Sequence, residues 1–258
     1  MPVPILNTSN PVNRGHPLAY GLVNWWKPLP HNWGGNILYD IVGRNPAPKA
    51  GTGTQWNGEN VLGGTRSISA WTTSTYYGFT SQVSFTGDYS IVIWWKSSSF
   101  SDYSFATSGS SAAAFGLNSG GAGFYVRTHN SGAAYTPSVS GATLGVWQQA
   151  VLSAKYNSTS YCYLDNVKSS SFANDYGTGS WNYIGYYSAW AFLGAIAEVK
   201  FYNRILSDSE VVQLRSEALQ GYPNLLNWHM PRAWSFGSAV QDGGSGFQRE
   251  WAKGWKVI

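Results

Sequence analysis

Residues 88–96 read DYSIVIWWK, and in extended backbone Tyr89, Ile91, Ile93 and Trp95 fall on one face while Ser90, Val92, Trp94 and Lys96 fall on the other. Both faces carry bulk, so the segment is predicted as a central strand covered on both sides. On either side of it, from residue 21 onward, short apolar segments recur between Gly, Ser, Thr, Asn and Pro: 113–117, 123–128, 145–156, 160–164, 181–186 and 192–202. This is the rhythm of an antiparallel β protein. No segment between them supports a crossover helix, which disfavours a parallel sheet. Residues 157–159 join one strand pair, and Asp165 with Asn166 makes the next tight turn, because Asp and Asn tolerate positive φ better than most non-glycine residues.

One helix is written clearly. Ser207 and Glu210 form an S-x-x-E capping box, with Leu206 and Val211 placed as a hydrophobic staple. Val211, Leu214, Ala218 and Leu219 supply an apolar stripe, Gly221 ends the helix and Pro223 follows. The expected organisation is an extended N-terminal arm over residues 1–20, a body over 21–221 and a Trp-rich C-terminal arm over 222–258. The first arm holds Pro2, Pro4, Pro11 and Pro17 without periodicity. The last holds Trp228, Trp234, Trp251 and Trp255, large aromatics that must pack on the body or on a neighbour.

The composition excludes several functions. Of 258 residues, 16 are Lys or Arg and 12 are Asp or Glu, so the charged share of 11% is less than half the usual value of about 25%. With 43% hydrophobic residues the chain is not disordered, and it lacks the Glu, Lys, Ala and Leu of a coiled coil. The net charge of +4 gathers into no basic stripe, so no nucleic-acid partner is expected. Cys162 is the only cysteine, which forbids an intrachain disulfide and reads as a small packing residue on its strand. No cationic segment followed by an apolar stretch opens the chain, so no signal peptide is expected, and no apolar run approaches 18 residues.

The segments, taken in order, resemble the laminin-G-like branch of the concanavalin A-like lectin/glucanase superfamily. The resemblance is carried by GLVNWW at 21–26, LYDIVGRN at 38–45, the strand ending in Trp95, Trp147-Gln148-Gln149, YLDN at 163–166 and FLGAIAEVKFYNRILSDSE at 192–210. It implies an all-β, two-sheet antiparallel jelly roll over about residues 18–220, closed by the capped helix. It also implies calcium, which is common in the superfamily. Here, however, residues 54–78 hold only Glu59 where the family often carries several acids, and Gln148 and Gln149 stand where it usually has histidines. A calcium site wants several converging oxygens, so no metal or other cofactor is predicted.

No catalytic residues are predicted either. The E-x-D-x-x-E string of the superfamily's glucanases is absent, and glycoside hydrolysis needs two flanking carboxylates. Glu198, with Ile196 and Lys200 as its expected same-face neighbours, is read as a structural acceptor for the loop at 40–45, and Asp40 as the acid that fixes that loop. His16, His31, His129 and His229 have no ligand spacing between them. The aromatic cluster Tyr183, Tyr186, Tyr187 and Trp190 around Gly185 is the candidate sugar platform, with Trp33, Trp56 and Trp71 as further candidates. The competing reading places these rings in the core or in a subunit contact.

Two functions follow as expectations. The first is a non-catalytic structural and adhesive protein of a virion surface, a capsid decoration or tail appendage. Its partners are copies of itself and neighbouring virion proteins, held by Trp228, Trp234, Trp251 and Trp255. This reading draws on the resemblance of the 16–23 segment and the arm after the helix to laminin-G-like proteins encoded by bacteriophages. The second is a stand-alone carbohydrate-binding module facing cell-surface glycans. Both place the protein at a virion surface or outside the cell.

Overall fold

The fold is described from a computed structural model, for residues 5–6, 11–28, 37–43, 45–50, 55–61, 65–69, 76–99, 103–107, 114–117, 123–127, 135–174, 179–185 and 192–229. The strands in chain order are β1 (Ile5–Leu6), β2 (Leu22–Trp26), β3 (Ile37–Leu38), β4 (Ala47–Ala50), β5 (Gln55–Val61), β6 (Thr65–Ser69), β7 (Tyr76–Phe85), β8 (Tyr89–Ser97) and β9 (Tyr103–Thr107). They continue with β10 (Ala114–Leu117), β11 (Phe124–Arg127), β12 (Gln148–Ala154), β13 (Ser158–Leu164), β14 (Val167–Lys168), β15 (Phe172–Asn174), β16 (Gly179–Ile184) and β17 (Gly194–Tyr202). Helix α1 (Asp208–Leu219) and β18 (Trp228–His229) follow.

Two antiparallel sheets face each other as a jelly-roll sandwich. The front sheet has the order β11-β10-β9-β16-β7-β4-β3, and the back sheet runs β14-β13-β12-β8-β17-β6-β5. β15 adds to β13, and β2 shares with β6 the far edge of β17. β8 lies centrally, bonded to β12 and β17, as its two bulky faces require. Tyr89, Ile91, Ile93 and Trp95 enter the core between the sheets with Trp26, Phe105, Phe115, Trp181 and Phe201. Val92 and Trp94 enter a second core behind the back sheet. Asn157, Asp165 and Asn166 all take positive φ at their turns.

The second core is closed by α1 and by both ends of the described body. Ser207 caps the helix with the reciprocal Glu210 contact, and Leu206 and Val211 are both buried. At the other end Gly221 has φ 78°, its N–H donates to Ala218 O at 3.0 Å, and the Tyr222 N–H donates to Glu217 O at 2.7 Å. That is a Schellman closure, and a β-carbon would strain it. The predicted stripe needs one correction: Leu219 is 52% exposed, because it lies beyond the face that Val211, Leu214 and Ala218 bury.

The expectation of an unpacked arm over 1–20 is also corrected for its described part. Residues 17–19 form a 3-10 turn, and Val12, Leu18 and Ala19 are buried in the second core. Asn13 donates its N–H to Leu225 O, and Asn227 donates to Pro11 O. Tyr222, Leu225 and Leu226 are buried beside them. The prolines hid this packing because the segment buries isolated side chains rather than a periodic face. β1 and β18 then pair, so the two ends of the described body meet in one short ribbon.

Candidate ligand-binding surface

The acids come first, because a reaction on this fold would need them. Glu198 is 1% exposed and lies on the helix side of the back sheet, not next to Ile196 as strand alternation predicts. A bulge between Ile196 and Glu198 in the pairing with β8 turns it over. Its partners are Lys200, the Tyr222 hydroxyl, Lys27 at 3.4 Å and the Trp25 indole N–H at 3.1 Å, so the expected bonding to the 40–45 loop is corrected. Burial alone would raise the Glu198 carboxyl, but the two ammonium groups and the hydroxyl outweigh it and hold its pKa below the ordinary value.

Asp40 fixes its loop as read, accepting from Asn24 Nδ2 at 2.5 Å and from the N–H groups of Trp25, Val42 and Asn45. Gly43 is required beside it, because a β-carbon there would sit 2.5 Å from Val23 O. Asp165 accepts from Gln148, the Gln149 N–H and Arg215, and Asp208 from Tyr163 and Lys168. Glu210 is held by Arg204 and the cap, Glu217 by Asn224, and Asp88 caps the Tyr156 N–H. Every carboxylate with a described side chain thus holds a separate structural post. No group of three His, Cys, Asp or Glu with metal-binding geometry occurs among the described residues. His16 accepts from the Leu18 N–H and closes the 3-10 turn, while Cys162 is fully buried in the inter-sheet core.

Tyr183 lies on the outer face of the front sheet, half-buried. Its neighbours Trp181 and Ile184 turn into the core, and a bulge between Trp181 and Tyr183 in the pairing with β7 re-aims the ring outward. The ring rests against Gly78, where a β-carbon would lie 3.4 Å from Tyr183 Cε1, and Tyr76 meets it edge to face at 5.0 Å and 80°. The other three members of the predicted platform, Tyr186, Tyr187 and Trp190, lie outside the described residues, as do Trp33 and Trp71. Trp56 and Trp228 enter only through the backbone of β5 and β18, and Trp234, Trp251 and Trp255 lie outside.

Further along β7 a groove of about 490 Å³ opens between the front sheet and β2. Its polar lining is Asn24, Asn45, Ser81, Gln82, Ser84 and Asn203, over an apolar base that includes Val23 and Phe85. The sequence offered no signal for it, because scattered Asn, Ser and Gln are what any exposed strand in this chain carries.

Residues 71–212 match the concanavalin A-like lectin/glucanases superfamily. No curated protein matches the chain. Among solved structures it is similar to domain 4 of AbnA, a GH43 extracellular arabinanase from Geobacillus stearothermophilus in complex with arabinotriose. That likeness has a TM-score of 0.58 at 18% identity and covers 75% of this chain and 97% of that domain. It is also similar to botulinum neurotoxin type C, whose cell entry depends on two ganglioside molecules (TM-score 0.55, 10% identity, 77% of this chain and 51% of that one). A third is Trypanosoma rangeli sialidase in complex with sialic acid (0.54, 14%, 77% and 33%). At these identities the likeness is one of fold, and the chain spans only half of the toxin chain and a third of the sialidase.

Proposed function

The chain belongs to the concanavalin A-like lectin/glucanases superfamily, and from that premise we propose that it is a non-catalytic glycan-binding jelly roll working at an extracellular or virion surface. The observation that carries this reading is the Tyr183 ring, set beside Gly78 and braced by Tyr76 on the outer face of the front sheet. A flat aromatic face takes the C–H face of a sugar, and neighbouring hydroxyls and amides then fix its orientation. The posts held by the seven described carboxylates support the non-catalytic part, since hydrolysis would need two of them free and facing one bond. The glycan-bound arabinanase domain of the same fold supports the ligand class.

A glycan array probed with the full chain tests the proposal. Binding to at least one oligosaccharide is expected, and Tyr183→Ala should weaken it several-fold to about tenfold, the loss of one stacking face worth ~0.5–1.5 kcal/mol. A silent array, or binding unchanged by Tyr183→Ala, would overturn it.

A second reading, assembly on a virion surface as a decoration or tail component, draws on the ribbon of β1 with β18. Both ends of the described body leave at one place, so a single docking point would suffice for attachment through Trp234, Trp251 and Trp255. The two readings are compatible, because a decoration protein can also hold cell-surface glycans.

A further inference from the structure

The groove and the tyrosine pair share a strand. Tyr76 and Gly78 near one end of β7 and Ser84 near the other alternate away from the core, and between them the exposed residues 80–82, where the register with β16 slips, lead from the Tyr76–Tyr183 pair into the groove. The register with β16 shortens this path: five steps of β7 from Gly78 to Val83 lie against two of β16, so Tyr183 and Ser180, the partner of Ser84, are three residues apart, about 10 Å in extended backbone. Thr80 and Ser81 are tied to Pro46 and Asn45 on the groove side. Past Ser81 no described strand pairs with that edge of β7.

The groove's lining is neutral and only partly used. Asn24 gives its amide N–H to Asp40, and no described residue bonds its carbonyl oxygen. The side chains of Ser81, Gln82 and Asn203 make no hydrogen bond within the described protein, and no ammonium, guanidinium or carboxylate lines the groove among the described residues. Amides and hydroxyls that both give and accept match the vicinal hydroxyls of an uncharged sugar, while Val23 and Phe85 offer an apolar base for its C–H face.

We infer that the groove is the second contact point of one elongated site, whose ligand is a neutral polysaccharide chain long enough to reach from Gln82 and Asn203 to Tyr183, not a single terminal sugar. The inference rests on the glycan reading above and adds its length and charge class. A peptide strand added to the same edge is disfavoured, since only residues 82–85 are open to it and strand pairing usually takes five or six.

The test is calorimetric titration of the full chain with arabino-, xylo- and cello-oligosaccharides of one, three and six sugars, beside a sialylated trisaccharide and an extended Thr-rich peptide. Three sugars should bind at least tenfold tighter than one for one of the neutral series. Gln82→Ala with Asn203→Ala should abolish that gain and leave the single sugars as they were. Both side chains are exposed and make no bond in the described protein, so an unchanged melting temperature is expected as the folding control. A gain that survives the double variant, the absence of any gain with length, or tighter binding of the sialylated glycan or the peptide would overturn the inference while leaving glycan binding by Tyr183 to be judged by its own variant. Failure of every glycan to bind overturns the function reading itself.

Discussion

Lys200 carries an ammonium group with no solvent exposure, held 4.3 Å from the Trp25 ring centroid and 4.2 Å from that of Tyr222, with Glu198 as its counter-charge. Burial drives its pKa down from 10.5 to about 7; Glu198 opposes the shift and the neighbouring Lys27 adds to it. Between about pH 7 and 10.5 the unfolded chain therefore keeps a proton on this lysine that the folded chain has released, so stability rises with pH across that window. Below pH 7 both states are protonated and the cost of the buried charge is constant. Glu198 acts in the opposite range: its lowered pKa contributes stability above about pH 4.5 that is lost as the pH falls further. Urea midpoints measured from pH 7.0 to 8.0 should rise in the native chain and rise less in Lys200→Met, any contribution of Cys162 and the buried tyrosines being common to both. An equal slope in the two would remove Lys200 from this role. Glu198 itself was legible as structural, but its partners were not. Its spacing to Lys200 was visible, whereas the bulge that turns it over and the arrival of Lys27 and Tyr222 depend on pairings far apart in the chain.

At the scale of elements, the helix is the best-read part of the molecule, because its signals are local. Ser207 accepts from the Glu210 N–H at 3.3 Å, Glu210 answers on the Ser207 N–H at 2.9 Å, and Arg204 holds the same carboxylate at 2.8 and 2.6 Å. Ser207→Ala should cost about 1 kcal/mol, within the ~0.5–2 kcal/mol of other caps, and Ser207→Asp should restore most of it, both read from urea midpoints. No change in Ser207→Ala would show that packing of Leu206, Val211 and Leu214 alone sets the helix. The strands were legible for the same reason of local alternation, most fully β8 and β12, while the bulges were not, since one extra residue leaves no mark on an alternating pattern. Gly194 is equally silent in the sequence: at φ 156° its absent β-carbon leaves room for Lys96 O, yet it is one glycine of 30.

At the scale of the whole molecule, the assembly reading makes a clear demand on solution size. Light scattering on the full chain should show a concentration-dependent oligomer, and a chain ending at His229 should be monomeric with an unchanged melting temperature. A full chain that stays monomeric, and loses nothing in solubility when shortened, would end that reading. By itself the sequence determined the class of fold, the central strand, the capped helix and the scarcity of free acids, all of which follow from neighbours a few residues apart. Tertiary structure decided what lies far apart in sequence but close in space: residues 11–20 and 222–226 sealing the second core, Lys27, Glu198, Lys200 and Tyr222 meeting behind the back sheet, and Asn24, Gln82 and Asn203 meeting around one groove. The physical reason is that periodicity records which face of an element is buried, whereas a binding surface is assembled from the exposed faces, where alternation sets no residue apart from its neighbours.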